Sequence, residues 1–177
     1  MCSSTPPRGE ENPISFSITP IATVRSPYKE RFGIPRQPRL APSVEATVEL
    51  RPPFSDNGGM ILRGLSEASH VWLQFVFHET RAKGWRPTVR PPRLGGKKRL
   101  GVLATRSPHR PNSLGMSVVK LLRVEGVTSD TPVPANKAAL SSSSESERKL
   151  RDKPTPPRLV VSGCDLMDGT PVVDIKP

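Results

Sequence analysis

The stretch "HVWLQFVFH" at residues 70–78 holds the longest apolar run of the chain, and that run is apolar on both faces of an extended backbone. Such a pattern is typical of a central strand with a neighbour on each edge. The stretch "VEATVEL" at residues 44–50 alternates instead, with four aliphatic side chains on one face and two glutamates and a threonine on the other. This period of two predicts a half-buried strand.

Shorter stretches with strand character lie on either side of these two. They are "FSITPIATV" at 16–24, "LGVLAT" at 100–105, "SVVKLLRVE" at 117–125, "RLVVSG" at 158–163 and "PVVDIK" at 171–176. The stretch at 117–125 also fits a short helix, because its period does not decide between the two. Short strands joined by loops rich in proline and glycine favour a mainly β fold, a curled single sheet resembling a β-barrel with few short helices.

The length of 177 residues fits one domain, but a hydrophobic fraction of 34% and 22 prolines indicate that part of the chain is loop. Residues 1–13 read as a flexible tail, and residues 14–177 as the domain. Residues 127–158 contain six serines, five prolines, ten charged residues and no aromatic residue. Such a segment buries too little apolar surface to offset its ordering entropy, so we predict a disordered insert within the domain.

The net charge of +11 favours a polyanionic partner, with nucleic acid preferred over an acidic membrane surface. Between residues 81 and 110 there are ten basic residues and no acidic one. Prolines in this run restrict the backbone and hold the arginines in place, which lowers the entropy lost on binding. A solvated basic loop without a partner is the alternative interpretation.

The sequence does not support several common kinds of functional site or targeting signal. The two cysteines, Cys2 and Cys164, form no CxxC pair, and residues 1–13 lack the apolar region of a signal peptide. The stretch "LGGKKRLG" lacks the spacing of a phosphate-binding loop, no GxGxxG motif follows a strand, and the histidines show no metal-ligand spacing. We therefore predict a soluble, cytoplasmic protein without a metal or a membrane partner.

Four blocks of the sequence together resemble the TrmO family, also called the TsaA-like or YaeB-like family. They are "IATVRSPYKERFGIPRQP", "GLSEASHVWLQFVFHET", "WRPTVRPPRLGGKKRLGVLATRSPHRPNSLGMS" and "GCDLMDGTPVVDIKP", in the order found in the family. The resemblance covers about 16–126 and 159–177. It implies a curled, barrel-like sheet rather than a Rossmann fold, and a homodimer with the cofactor pocket near the subunit interface.

The resemblance also implies a function. Members are tRNA methyltransferases that use S-adenosyl-L-methionine and act on N6-threonylcarbamoyladenosine at tRNA position 37, in the anticodon loop of threonine tRNA. The methyl group is added to the exocyclic nitrogen. A non-catalytic basic RNA-binding module, or a methyltransferase acting on a different acceptor, remains the alternative.

Roles carried over from the family fall on several positions of this chain. The residues implied for cofactor binding are Pro35, Arg36, Gln37, His78, Glu79, Arg106, Met116, Asp168, Gly169 and Thr170. Those implied for tRNA contact are Arg86, Arg90, Arg93, Arg99 and Arg110. His78 and Asp168 are the candidates for a general base. On spacing alone, "DGTP" at 168–171 indicates a turn in which Asp168 is a cap and Gly169 takes a positive φ.

The chain departs from the family pattern in two places. Residues 127–158 stand where the family has a short link, and many bacterial members continue beyond the position of "DIKP" into a small domain that helps to bind tRNA. We therefore expect weaker tRNA binding by these residues alone.

Overall fold

The computed structural model describes residues 15, 17–92, 95–127 and 156–177. The tail predicted at 1–13 and almost all of the insert predicted at 127–158 lie outside the described residues, so both stay predictions. Arg158, the last residue of that insert, belongs to a strand.

The described residues contain eight strands and one short α-helix. The strands are β1 (Ala22–Arg25), β2 (Glu45–Leu50), β3 (His70–Val76), β4 (Thr88–Val89), β5 (Leu100–Gly101), β6 (Leu114–Glu125), β7 (Arg158–Ser162) and β8 (Pro171–Lys176), and the helix α1 is His78–Arg81. Six strands close into a barrel in the order β1-β2-β7-β6-β3-β8, with β8 returning to β1. The predicted mainly β, barrel-like fold is confirmed.

The barrel core is built from the alternating side chains that each strand turns inward. In β2, Ala46, Val48 and Leu50 are buried, as the period of two predicts. Aliphatic side chains from β1, β3, β6, β7 and β8 meet them, and the most deeply buried are Val24, Val71, Leu73, Val119, Leu159, Val161 and Val172. All strand pairs of the barrel are antiparallel, and each strand adds its inward side chains to the core beside those of its hydrogen-bonded neighbours.

Strand β3 is paired on both edges, with β6 on one side and β8 on the other, as its apolar sequence predicts. Its two faces differ, however. Val71, Leu73 and Phe75 point into the core, whereas Trp72 on the opposite face is 42% exposed. The second apolar face is therefore not a layer of the core, and it is available for a site.

The structure resolves the ambiguity at residues 117–125 in favour of a strand. Strand β6 runs over twelve residues and pairs along its length with β3 and then with β7. The register places Ser117 opposite Leu73 and Met116 opposite Gln74. Alternate side chains of β6 therefore enter the core or join Trp72 on the outer face.

The strand prediction at 100–105 is wrong for most of its length. Only Leu100 and Gly101 are in a strand, and they pair with β4 outside the barrel. Residues Val102–Ala104 form a 3-10 turn that buries Val102 and leaves Leu103 72% exposed. The reason is that β4 begins at Thr88 and pairs antiparallel with β5, so Val102 faces Pro87, which has no N–H for a strand ladder. The N–H of Val102 donates to the carbonyl of Pro87, and the ladder ends there.

The strand predicted at 16–24 is also shorter than expected, since β1 begins only at Ala22. Pro20 lies just before it and has no N–H to donate to a ladder, which limits strand pairing on that side.

Candidate functional site

A groove of about 1070 Å³ lies on the outer face of β3 and β6, and we call it the β3–β6 groove. Trp72 and Gln74 of β3 and Met116 and Val118 of β6 form its floor. Residues 35–39 form one wall, residues 105–110 contribute to another, and residues 162–166 close one side. The volume slightly exceeds the usual range for one small-molecule site, so the groove has room for a cofactor and part of a second ligand.

The charged residues that line the groove are mostly basic. Five are cationic and one is anionic: Arg36, Arg39, Arg106, Arg110 and Lys120 against Asp165. This imbalance favours ligands with carboxylate or phosphate groups, which arginine binds through paired N–H donors. The groove adds apolar and aromatic surface from Trp72, Phe77 and Met116, on which a planar ring can pack.

Asp165 is the one acidic residue of the groove lining, and its environment is unusual. It lies between two buried residues, Cys164 and Leu166, just after β7. Burial raises the pKa of its carboxyl, and the hydroxyl of Ser117 and the charge of Arg106 oppose that shift. The Oδ1 atom is buried and has no hydrogen-bond partner among the described residues. A buried acceptor without a partner is suited to receiving an N–H or O–H from a ligand.

The wall at residues 35–39 is stiffened by its own backbone. Residues Pro38–Leu40 form a 3-10 turn, in which the N–H of Leu40 donates to the carbonyl of Gln37 at 3.0 Å. Gly163, at the end of β7, lies against it, since a Cβ there would be 3.5 Å from the carbonyl oxygen of Pro38. The wall is therefore held beside Asp165 before a ligand arrives.

The wall at residues 105–110 is tied to the β4–β5 ribbon. The Arg110 guanidinium donates from Nη1 to the carbonyl of Thr105 at 2.6 Å, and the Thr105 hydroxyl donates to the carbonyl of Val102 at 2.8 Å. The N–H of Arg86 donates to the carbonyl of His109 at 3.1 Å. Arg106, between these contacts, is exposed at the groove and stays near Asp165.

Five of the ten residues predicted to bind the cofactor line this groove. They are Pro35, Arg36, Gln37, Arg106 and Met116. The structure brings them together from the first wall, the second wall and the floor. Sequence spacing does not connect these three segments, because they meet only through the pairing of β3 with β6 and the approach of both walls.

His78 and Glu79 are not among the groove-lining residues. They begin α1, directly after Phe77, whose ring does line the groove. The His78 Nε2 atom lies 3.6 Å from Glu79 Oε1, and both side chains are partly exposed. Their predicted contact with a cofactor stays a prediction.

The turn Asp168-Gly169-Thr170 also lies outside the groove lining, and it is bound to β1. The Asp168 carboxylate accepts the N–H of Ser26 at 3.0 Å and pairs with Lys29 at 2.8 Å. Its pKa is lowered, first by the hydrogen bond from Lys29. Gly169 has φ 78°, as the turn motif predicts, and the Thr170 hydroxyl donates to the carbonyl of Met167 at 2.7 Å. These contacts are sufficient to explain the turn as a structural element.

The arginines predicted to contact tRNA occupy two regions. Arg86, Arg90 and Arg99 are exposed on or beside the β4–β5 ribbon, and Arg99 donates to the Thr88 hydroxyl at 3.4 Å. Arg110 lines the groove instead, while Arg93 lies outside the described residues. The exposed arginines are accessible to a phosphate backbone.

The site residues that sequence reasoning missed are Asp165, Ser117, Trp72 and Gln74. Asp165 lies inside the quoted block "GCDLMDG", where the more familiar Asp-Gly turn drew attention to Asp168. Trp72 lies in a stretch that is apolar on both faces and was predicted only as a central strand, so nothing singled it out. The one signal available was the polar Gln74 within that strand, which marks a face that is not fully buried.

Metal and thiol chemistry find no support in the part of the chain that the structure describes. It contains no cluster of three or more histidine, cysteine, aspartate or glutamate side chains able to hold a metal ion. Cys164 is buried, and burial raises the pKa of its thiol to about 11, which keeps it protonated and unreactive. Among the same residues, no helix has the length and apolar character needed to cross a bilayer.

Comparison with known proteins agrees with this fold. The chain is 48% identical over 164 residues to a putative S-adenosylmethionine-dependent methyltransferase RcsF of Pseudomonas aeruginosa, covering 93% of this chain and 55% of that protein. It is 45% identical over 163 residues to the tRNA (adenine(37)-N6)-methyltransferase of Escherichia coli, covering 92% and 57%. The crystal structure of TrmO from Pseudomonas aeruginosa superposes with a TM-score of 0.62 at 39% identity, covering 93% of this chain and 56% of that one.

The chain thus spans a little over half the length of these relatives. The family model for the N-terminal domain of tRNA-methyltransferase O matches residues 23–177, which include all of the barrel except Ala22 and both walls of the groove. The family expected from the four sequence blocks is confirmed: the chain belongs to the tRNA-methyltransferase O family.

Proposed function

We propose that this protein is an S-adenosyl-L-methionine-dependent methyltransferase that methylates N6 of N6-threonylcarbamoyladenosine at position 37 of threonine tRNA. Membership of the family supports adenine methylation in tRNA. The observation that carries the proposal is the position of Asp165, a half-buried carboxylate whose buried Oδ1 atom has no partner among the described residues, in a groove whose other charged lining residues are cations. A methyl acceptor that carries both an N–H and a carboxylate matches this arrangement, because the Asp165 carboxylate can take the proton and a cation can bind the carboxylate.

The residues of the groove fit the methyl donor. S-adenosyl-L-methionine carries a carboxylate, an ammonium, a sulfonium and an adenine ring, and when bound it supplies an electrophilic methyl group. Arg36 suits the carboxylate, and Trp72 and Met116 offer apolar surface for the ring. Pro35 and Gln37 flank Arg36 in the same wall, so the wall acts as one binding element.

Asp165 is the residue we propose as the proton acceptor, in preference to His78 and Asp168. The acceptor nitrogen lies between an adenine ring and a carbonyl, so its lone pair is delocalised and loss of its proton assists attack. In the transfer, the N6–H bond breaks and its proton passes to the Asp165 carboxylate. An N–CH₃ bond forms as the S–CH₃ bond breaks, which leaves a neutral thioether. Asp168 is less suited, because its carboxylate is already engaged by Lys29 and Ser26.

Arg106 is the residue we propose for the threonyl carboxylate of the modified base. It stands beside Asp165 in the second wall, so one ligand can meet both side chains. A planar guanidinium binds a carboxylate through two parallel hydrogen bonds, which fixes orientation as well as position. This pair of contacts would distinguish the threonylcarbamoyl base from an unmodified adenosine, which has no carboxylate.

We also propose a homodimer in the cytoplasm. The floor of the groove leaves Trp72 at 42%, Leu114 at 37% and Met116 at 56% exposed, which is apolar surface that a second copy could cover. Sedimentation equilibrium on the purified protein tests this proposal, and a monomer at micromolar concentration would contradict it.

The reaction is tested by transfer of a labelled methyl group to threonine tRNA prepared with and without the threonylcarbamoyl group. We expect transfer only to the modified tRNA, together with a rise in thermal stability on addition of S-adenosyl-L-methionine and not of ATP. Stabilisation by the donor without transfer to modified tRNA would point to a different acceptor. No stabilisation and no transfer, with RNA binding retained, would establish a non-catalytic RNA-binding module.

A further inference from the structure

Trp85 is one of two tryptophans in the chain, and its side chain is 60% exposed. Its near neighbours along the chain are two cationic residues and a glycine. Lys83 and Arg86 are exposed on either side, and Gly84 separates Trp85 from α1. A large flat ring among exposed cations is the combination that proteins use to bind single-stranded nucleic acid, where bases stack on rings and cations contact phosphates.

The backbone around Trp85 is held in place, so the ring has a defined position. Gly84 has φ 68°, and its N–H donates to the carbonyl of Arg81 at 3.1 Å, which ends the helical turn of α1. No other atom lies within 4 Å of a Cβ built at Gly84, so the positive φ is what calls for glycine there. On the other side, the N–H of Arg86 is bonded to the carbonyl of His109.

The bond between Arg86 and His109 places Trp85 beside the second wall of the groove. Trp85 directly precedes Arg86, and Arg110, which lines the groove, directly follows His109. A second bond, from the N–H of Val102 to the carbonyl of Pro87 at 3.0 Å, ties the same segment to the loop that carries Arg106. Trp85 therefore belongs to a segment whose backbone is bonded to the second wall of the groove in which we place the reacting adenosine.

We propose that Trp85 stacks on an unpaired base next to the target adenosine in the anticodon loop, and that Lys83 and Arg86 contact the flanking phosphates. The inference rests on the proposed function in that the ligand is RNA, but it requires no methyl transfer. The local charge decides between RNA and a protein surface, because ten basic residues and no acidic one lie between 81 and 110. Stacking tolerates any base, so Trp85 adds affinity and positioning while the groove selects the modified base.

The two tryptophans give separate fluorescence reporters, since Trp72 lies on the groove floor and Trp85 is exposed outside the groove lining. In a Trp72→Phe variant, an anticodon stem–loop RNA is expected to quench the remaining tryptophan, and S-adenosyl-L-methionine alone is not. In a Trp85→Phe variant, S-adenosyl-L-methionine is expected to quench the remaining tryptophan. Unchanged fluorescence of Trp85 at saturating RNA would overturn the proposal.

Binding measurements keep the proposal testable if the Trp72 variant does not fold. Trp85→Ala is expected to weaken binding of the stem–loop about 5- to 150-fold, and Trp85→Phe to restore most of the affinity, because a ring still stacks. Leu103→Ala is the matched control, since Leu103 is another exposed apolar residue in the same region, and it should bind RNA as the parent does. Equal RNA affinity of Trp85→Ala and the parent would refute the stacking role, and an accompanying change in self-association would assign Trp85 to a protein interface.

The outcomes separate this inference from the proposed reaction. Quenching of Trp85 by RNA without any methyl transfer would uphold the stacking role and refute the reaction. Methyl transfer with the same KM for tRNA in the parent and Trp85→Ala proteins would uphold the reaction and refute the stacking role.

Discussion

Gly115 of β6 lies directly opposite Phe75 of β3, and the Phe75 ring occupies the space into which a side chain at Gly115 would project. A Cβ built on Gly115 would be 2.5 Å from Cε2 and Cζ of that ring and 2.8 Å from Cε2 of Phe77. The two rings pack edge to face, with centroids 5.1 Å apart and planes at 80°. This glycine therefore lets two aromatic rings meet where the barrel core adjoins the β3–β6 groove.

Gly115→Ala should destabilise the protein by about 1–3 kcal/mol, because the added methyl group must displace a ring in a packed core. The measurement is urea unfolding followed by circular dichroism. Gly101→Ala is the matched control, since nothing lies within 4 Å of a Cβ at Gly101, and it should unfold as the parent does. Equal stability of the two alanine variants would show that the ring contacts do not constrain Gly115.

Asp165→Asn should raise the thermal midpoint at pH 7 while reducing methyl transfer. The folded-state pKa of Asp165 is raised by burial, so its ionisation begins to cost stability as the pH rises above the ordinary value of 3.8. The gain from asparagine should therefore be absent below about pH 3.8, grow above it and level off once the pH exceeds the raised pKa. Loss of the proton acceptor should lower the transfer rate about 10²- to 10⁴-fold.

The control for Asp165 is Asp56→Asn, the same substitution at an exposed residue far from the groove lining. It should change neither the activity nor the pH dependence of the thermal midpoint. If Asp165→Asn transferred methyl groups at the parent rate, the carboxylate would not be the proton acceptor.

Arg106→Ala should leave the fold intact and reduce kcat/KM on modified threonine tRNA about 10- to 100-fold, since it removes a charged hydrogen-bond donor. Arg106 is exposed, so little packing is lost. Arg106→Lys should recover only part of the activity, because an ammonium cannot form the paired contact. Arg51→Ala, an exposed arginine outside the groove lining, is the control, and parent-like turnover in Arg106→Ala would remove this residue from the site.

Asp168→Asn should reduce stability without affecting the chemical step. The Lys29 and Ser26 contacts lower the pKa of Asp168, so they stabilise the fold above its unfolded value near pH 3.8 and are lost as pH falls through the folded pKa. At pH 7 the variant should lose about 1 kcal/mol, and the difference should close at low pH. Single-turnover transfer rates measure the chemistry, and a fall there comparable with that of Asp165→Asn would make Asp168 the better candidate for the base.

Replacement of residues 128–155 by Asn-Gly should leave the barrel folded. Glu125 of β6 pairs with Arg158 of β7, so the two strands form an antiparallel pair whose ends are adjacent. A Cβ on Gly59 would lie 2.9 Å from Pro157 and 3.2 Å from the carbonyl oxygen of Gly126, which shows how closely these ends approach. An unchanged thermal midpoint and donor binding are expected, whereas a protein that no longer folds would contradict the predicted disordered insert.

Local patterns were a good guide where burial depends on one strand alone. The alternation at 44–50 placed Ala46, Val48 and Leu50 in the core, and the structure agrees. At 100–105 the same kind of reasoning was wrong, since Leu103 is 72% exposed and belongs to a 3-10 turn outside the barrel. Apolar composition signals burial, but a strand also needs a partner, and pairing is a property of the whole fold.

The candidate site was likewise predictable from the sequence only in part. The family resemblance placed Arg36, Arg106 and Met116 in one pocket, and the structure places all three on one groove. It did not single out Asp165, because the carboxylate becomes distinctive only when Cys164 and Leu166 are buried around it. Its raised pKa arises from desolvation, which no linear motif encodes.

By itself the sequence determined the mainly β architecture and the family and predicted a polyanionic partner, since charge, alternation and ordered motifs are local properties of the chain. Only the tertiary structure decided which face of β3 is open, and which single acid shares that face with the arginines. The reason is that closing β1 onto β8 buries one side of every strand and leaves the other to be shaped by distant loops. Groups far apart in the chain, such as Trp72 and Asp165, become one site only after that closure.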